Sequence, residues 1–298
     1  MRITKSFAET RAACSGSAGL VPTMGFLHEG HLSLIEAARE DSDTVVMSLF
    51  VNPLQFDRDD DLVRYPRDLE RDVALAAAAG ADIVFAPEVE EMYPTEQLTR
   101  VNVNGLSDEL EGPNRPGHFE GVATVVAKLF AGIQADVAYF GRKDAQQLAI
   151  VKRMAKDLSM PLEVIGVPIM REGDGLALSS RNIFLSAAER KAALGLSRGL
   201  MQAADAVEAG ERDSKMIANA VYREIGDDLN VEYLTLAGQD DVQPMFTLDR
   251  PAFLALAAWS GKTRLIDNVH FDTSGDGYVA DRGTPLSTES VLYSTGEG

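Results

Sequence analysis

His28 and His31 stand three residues apart in the run Pro22-Thr23-Met24-Gly25-Phe26-Leu27-His28-Glu29-Gly30-His31, directly after an apolar stretch of strand character. On the first turn of a helix, two imidazoles at that spacing can face one phosphate and stabilise the charge that builds up when phosphorus is attacked. Gly25 and Gly30 allow backbone to approach a ligand, and the helix start offers N–H groups to an anion. The run is neither a Gly-x-Gly-x-x-Gly fingerprint nor a Walker loop, since the required glycines and Lys-Ser/Thr are missing. A bare His-x-x-His also reads as a helix start with two exposed rings. A zinc pair would need a third ligand, and His118 and His270 are the other histidines.

Four further clusters carry polar groups at positions where chemistry is done. Asn52 and Gln55, in Phe50-Val51-Asn52-Pro53-Leu54-Gln55-Phe56, are amides just past a strand, suited to a small polar substrate. Arg115, in Arg115-Pro116-Gly117-His118-Phe119-Glu120-Gly121, could reach a phosphate or carboxylate from a long segment of little periodicity. Phe140-Gly141-Arg142-Lys143-Asp144-Ala145-Gln146-Gln147 puts a flexible cation, Lys143, after a glycine, with Gln147 one helical turn on. Asp174-Gly175-Leu176-Ala177-Leu178-Ser179-Ser180-Arg181-Asn182 offers two hydroxyls and a guanidinium, good phosphate donors. Each has a plain alternative as a solvated loop, a strand-helix turn or a linker.

The elements that must position these groups follow from hydrophobic period. Leu20 to Pro22, Val45 to Val51, Asp82 to Ala86, Val137 to Phe140 and Leu162 to Val167 read as buried strands. Helical patterns lie between them: Leu32 to Arg39, a helix opened by Pro66 and stopped at Gly80, Val122 to Ile133, and Leu148 to Leu158. This rhythm predicts an α/β fold, a Rossmann-like parallel sheet with helices on both faces. The second half reads as a smaller α+β domain. It has a long helix from a capping box at Ser186 and Glu189, a helix at Ser214 to Ile225, and strands at Val231 to Leu236, Phe253 to Trp259 and Arg264 to Val269. The expected division is 1–172 and 173–298, with Asp272 to Gly298 a mobile tail rich in Gly, Ser, Thr and Asp.

Composition narrows the partners. The chain is 45% hydrophobic and 25% charged, and no apolar run approaches the ~20 residues of a membrane helix. The segment Met1 to Gly19 has no apolar signal core, and Cys14 stands alone, so the expected setting is the cytoplasm. A net charge of −18 repels nucleic acid. An anionic nucleotide would need a local positive cluster, helped by a divalent cation.

His28-Glu29-Gly30-His31 after a buried strand is similar to the His-x-Gly-His signature of the nucleotidylyltransferase superfamily. The five clusters in this order, with Tyr65-Pro66-Arg67-Asp68-Leu69 and Gly261-Lys262-Thr263-Arg264-Leu265-Ile266-Asp267-Asn268, resemble the pantothenate synthetase (pantoate–β-alanine ligase) family from Val21 to about Asn268. The resemblance implies a ligase that joins (R)-pantoate to β-alanine through a pantoyl adenylate, with ATP as substrate, magnesium on its phosphates, and a homodimer. It implies that Met24, Gly25, Phe26, Leu27, His28, Glu29, Gly30 and His31 hold ATP, with His31 the catalytic acid and His28 a phosphate partner. Gly141, Arg142, Lys143, Asp144, Met170, Leu178, Ser179, Ser180 and Arg181 complete the nucleotide site, and Gln55 and Gln147 bind pantoate. Lys143 joins the histidines as a catalytic group by neutralising the charge that repels the incoming carboxylate. Asn52 and Arg115 are further candidates for the substrate; no protein residue is assigned to the metal. Arg142 departs from the acidic or neutral residue common in relatives, and would add positive potential. Two rival readings are another enzyme of the superfamily, transferring a nucleotidyl group to a phosphate or forming an aminoacyl adenylate, and a non-catalytic ATP-binding or scaffold protein.

Overall fold

The computed structural model describes residues 1–56, 62–63, 65–275 and 277–293. The chain divides into two compact units, Met1–Gly141 with Gln146–Val167, and Arg142–Ala145 with Pro168–Gly298.

The first unit is built on a six-stranded parallel sheet. Its strands are β1 (Arg2–Thr4), β2 (Ala18–Thr23), β3 (Thr44–Leu49), β4 (Ile83–Phe85), β5 (Val137–Gly141) and β6 (Glu163–Val167), in the spatial order β1-β4-β3-β2-β5-β6. Val45, Val46 and Met47 of β3 are fully buried, as expected of a strand covered on both faces. Helices α1 (Phe7–Ala13), α2 (Glu29–Asp41), α3 (Leu69–Ala79), α4 (Val89–Met92), α5 (His118–Ile133) and α6 (Ala145–Asp157) flank the sheet. Leu34, Ile35 and Ala38 of α2 and Ala76 of α3 share one core cluster with Val45, Met47 and Val84 of the strands. The strand order reverses between β2 and β5. In open parallel sheets a ligand crevice forms beyond the carboxyl ends of the strands at such a switch point. Thr23 and Gly141 are those ends.

The second unit carries a four-stranded antiparallel sheet, β11-β10-β9-β8, made of β8 (Leu229–Gly238), β9 (Ala252–Ser260), β10 (Thr263–Ser274) and β11 (Gly277–Asp281). Helices α7 (Ala187–Glu208) and α8 (Ser214–Tyr222) pack on it, and Leu196, Leu200, Val207, Ile217 and Val221 join Leu254, Leu256 and Phe271 in its core. The Ser186 and Glu189 capping box is formed at the start of α7. A separate parallel pair joins β7 (Met170–Arg171) to β12 (Thr284–Pro285).

Several expectations need correction. Pro66 does not open α3; Asp68 caps it by accepting from the Arg71 N–H, two residues later. Gly80 does end it, in the left-handed region at φ 104°. β1 and α1 precede Leu20 to Pro22, the first strand expected, and β1 is too short to show a period. The glycine- and serine-rich stretch from Asp272, expected as a mobile tail, carries the strands β11 and β12 up to Pro285. Gly275, at φ 56°, lies in a hairpin connection, and Tyr278 and Ala280 of β11 pack against the core of the unit. Asp276 and residues 294–298 of that expected tail lie outside the described residues. Among the described residues no helix is long and apolar enough to cross a membrane.

Candidate active site

Beyond β2 the chain makes a turn that few sequences can follow. Gly25 and Phe26 are both left-handed, at φ 90° and 53°. A Cβ on Gly25 would lie 2.9 Å from Asp72 Oδ2. That carboxylate, on α3 and almost fully buried, accepts from the Phe26 and Leu27 N–H groups, each at 2.7 Å. Burial raises the Asp72 carboxyl above the usual range, and the two backbone donors and Arg71 oppose that rise. Arg71 also donates to the Leu27 carbonyl at 3.0 Å and lies 5.2 Å over the Phe26 ring. One acidic side chain and its neighbour therefore fix the residues leading into His28.

His28 caps α2, and its Nδ1 accepts from the Gly30 N–H at 3.2 Å. The His28 N–H in turn donates to His31 Nδ1 at 3.3 Å, a capping box made from two imidazoles. The ring centroids are 4.1 Å apart. Because each Nδ1 is an acceptor, the neutral form of each ring carries its proton on Nε2. The sequence pattern placed both histidines on the first turn. The structure adds which nitrogen of each holds the fold.

Asn52 and Gln55 lie on the 3-10 turn Pro53–Gln55 and its cap. Asn52 is buried, accepting from the Tyr93 hydroxyl at 2.7 Å and from the Leu54 N–H at 3.3 Å. It donates to the Gly121 carbonyl at 3.1 Å and to Gln55 Oε1 at 3.0 Å. Burial pushes the Tyr93 hydroxyl up to about 12, so it remains a donor. Gln55 Nε2 lies 3.1 Å from Met24 Sδ, which brings the second cluster to the first. The Gln55 carbonyl accepts from His118 Nδ1 at 2.8 Å, and His118 Nε2 accepts from Arg115 at 3.0 Å. A side chain at Gly121 would put its Cβ 2.3 Å from the Leu54 carbonyl, so α5 needs glycine there to seat this turn. Asn52 and Arg115, expected to meet substrate, hold Gln55 in place, the first directly and the second through His118.

On α6 two adjacent glutamines divide the work. Gln146 is buried and pins the 101–117 segment, accepting from the Glu111 N–H and donating to the Leu106 and Glu109 carbonyls at 2.7–3.0 Å. Gln147 is half-buried, and its amide has no hydrogen bond among the described residues.

In the second unit the turn Arg142–Asp144 is held by β10. Asn268 Nδ2 donates to the Arg142 and Lys143 carbonyls at 3.0 and 2.7 Å, and His270 Nε2 donates to the Arg142 carbonyl at 3.2 Å. The Arg142 guanidinium pairs with Asp272 at 2.9 Å and Asp281 at 3.2 Å. Its positive potential is thus offset by two carboxylates, contrary to the expectation of added positive charge. The Leu178 N–H donates to the Met170 carbonyl, which joins two of the expected nucleotide residues. Ser179 caps the 3-10 turn Ser180–Phe184, accepting from the Arg181 N–H at 3.3 Å, and Arg181 is exposed. Asn182 closes the turn beneath by donating to Glu172 Oε1 at 2.6 Å and to the Ala177 carbonyl.

Sequence reasoning missed Asp72, Tyr93, Gln146 and Glu172. Each acts over 10 to 46 residues of chain on the backbone or side chain of another cluster, a signal that local spacing does not contain. Among the described residues no group of three His, Cys, Asp or Glu side chains could hold a metal ion.

Comparison with known proteins bears on the whole chain. The model of the pantoate-beta-alanine ligase family matches residues 2–270. Pantothenate synthetase of Moorella thermoacetica is 53% identical over 255 residues, covering 85% of this chain and 90% of that protein. The enzyme of Acetivibrio thermocellus is 50% identical over 267 residues, covering 89% and 95%. The crystal structure of pantothenate synthetase from Thermus thermophilus superposes with a TM-score of 0.85 at 48% identity, covering 90% of this chain and 98% of that one. Pantoate-beta-alanine ligase from Francisella tularensis, complexed with beta-gamma ATP and beta-alanine, gives 0.73 at 32% identity, covering 90% and 97%. By both sequence and fold, this chain belongs to the pantoate-beta-alanine ligase family.

Proposed function

We propose that the chain condenses (R)-pantoate with β-alanine in two steps, through pantoyl adenylate. In the first, a pantoate carboxylate oxygen attacks the α-phosphorus of ATP, the bond from that phosphorus to the β-phosphate oxygen breaks, and pyrophosphate leaves. In the second, the β-alanine amine attacks the acyl carbon, AMP leaves with the oxygen that came from pantoate, and the amine gives up a proton. Activation is needed because a carboxylate is a poor electrophile, whereas AMP is a good leaving group. The observation that carries the reading is the pair of imidazoles at the start of α2, each using Nδ1 to hold the fold and so keeping its proton on Nε2.

In this reading Met24–His31 holds ATP, His31 donates to phosphate oxygens as negative charge builds up, and His28 supports it. Lys143 and the Ser179–Ser180–Arg181 turn act on the same nucleotide, with Gly141, Asp144, Met170 and Leu178 completing its site. Arg142, paired with two carboxylates, shapes the turn rather than neutralising phosphate. Gln55 and Gln147 take the hydroxyls and carboxylate of pantoate, and Asn52 and Arg115 hold Gln55 in place. Magnesium, which characteristically keeps waters and substrate phosphates as ligands, would ride on the triphosphate and supply charge neutralisation, so the chain need not supply a cluster of carboxylates for it. The resemblance also carries a homodimer acting in the cytoplasm.

Pantoate labelled with 18O in its carboxylate tests the first step. One labelled oxygen is expected in the AMP released when β-alanine and ATP are present. Unlabelled AMP, or ADP with labelled phosphate, would rule out the adenylate.

A further inference from the structure

The family match ends at residue 270, yet the chain continues, and residues 284–293 pack on β7 and on Glu172 and Asp174 just after it. Thr284 and Leu286 donate their N–H groups to the Ile169 and Arg171 carbonyls, both at 2.7 Å, adding β12 to β7. Gly283 makes that approach possible, since a Cβ there would lie 2.4 Å from the Ile169 carbonyl. The segment then lines a cavity of about 500 Å³ with Glu172, Asp174 and Arg190. In its wall the Tyr293 hydroxyl donates to Glu172 Oε1 at 2.9 Å and accepts from Arg190 Nη1 at 2.9 Å.

Glu172 Oε1 is also the acceptor for Asn182 Nδ2, and Asn182 sits inside the Ser180–Phe184 turn. Glu172 Oε2 is held by Arg190 at 2.7 Å. The carboxylate is buried, so its rotamer is set by these partners. Removing one donor leaves a buried oxygen with less compensation and frees the turn that depends on it.

We propose that residues 284–293 form a strap, and that Tyr293 is a positioning residue for the Ser179–Ser180–Arg181 turn, acting through Glu172 and Asn182. The proposal rests on the nucleotide role given to that turn. Burial and the neighbouring carboxylate push the Tyr293 hydroxyl up to about 12, so it donates throughout the working pH range.

The test is Tyr293→Phe in the full chain, alone and combined with Arg181→Ala, with KM for ATP, KM for pantoate, kcat and thermal unfolding measured for each. Phenylalanine keeps the ring over Arg190 and removes only the hydroxyl. The expected result is a rise in KM for ATP of about fivefold, the order expected from one hydrogen bond, with KM for pantoate changed by less than about twofold. In the Arg181→Ala background the same substitution is expected to add nothing, because the group it positions is gone. A rise in both KM values together, or full additivity with Arg181→Ala, would show a general structural role and overturn the strap. If Arg181→Ala leaves KM for ATP unchanged while pantoate-dependent turnover persists, the nucleotide role of the turn fails and the strap falls with it. If Arg181→Ala raises it and Tyr293→Phe does not, the strap alone fails.

Discussion

Met24–His31 and Leu178–Arg181 are the two turns proposed to hold the nucleotide, and they are held in opposite ways. The first is fixed through its backbone by Asp72, which takes the Phe26 and Leu27 N–H groups. The second is fixed by a web centred on the Glu172–Arg190 ion pair, with Glu172 also accepting from Asn182 and Tyr293. Beside the web Arg171 pairs with Asp267 in a buried bidentate bridge at 2.8 and 3.1 Å and donates to the Arg282 and Asn268 carbonyls. A loop whose N–H groups converge on one carboxylate is expected to lose its shape when that acceptor is altered, with catalysis affected first. A turn held by a buried ionic web loses stability first when a charge is left alone.

The largest effect should come from breaking the buried bridge beside the web. Arg171→Ala leaves Asp267 buried without its counter-ion and is expected to cost about 3–5 kcal/mol of stability in urea unfolding. The double change Arg171→Met with Asp267→Leu should recover most of that loss. A single substitution costing under about 1 kcal/mol would show that the bridge is not structural.

Next comes a pH effect in the same unit. His270 is buried, with its Nε2–H on the Arg142 carbonyl and its Nδ1 unpartnered among the described residues. Burial, aided by the Arg142 charge, lowers its pKa to about 4. The unfolded state therefore binds the proton first, at an ordinary value of about 6.5. The stabilisation is fully present above about 6.5 and is lost as pH falls from there towards about 4, by on the order of 3 kcal/mol. His270→Asn should flatten the fall in stability over that window; an unchanged pH profile would refute the assignment.

The smallest effect on stability, and the sharpest on catalysis, is expected at the first turn. Asp72→Asn replaces one acceptor by an NH2 group facing an N–H donor, at a cost of about 2 kcal/mol. kcat should drop by about tenfold or more with ATP binding less affected, because His28 and His31 shift together. Wild-type kcat in a folded Asp72→Asn variant would show that the turn keeps its shape without this carboxylate.

Much of the architecture was legible in the chain. VVMSLFV read as a strand of the kind buried on both faces, and β3 covers it as far as Leu49; the stripe of α5 and the Ser186 capping box marked helices that the structure contains. The His28–His31 pattern also gave the start of α2. What stayed hidden depends on distant partners. Nothing near Asp72 says that it closes a turn 45 residues earlier, and Gln146 and Gln147 look alike until one is seen bonded to three backbone groups. Arg142 read as an added positive charge because Asp272 and Asp281 lie 130 and 139 residues away. The glycine-rich stretch after Asp272 read as a tail because its turn residues conceal a hairpin.

The most direct test of the central claim is ATP–pyrophosphate exchange in the presence of magnesium and without any amine. Adenylation of pantoate as a separate first step predicts exchange of labelled pyrophosphate into ATP that appears only when pantoate is added and is lost in His31→Ala. Exchange without pantoate, or none with pantoate while ATP still binds, would contradict it.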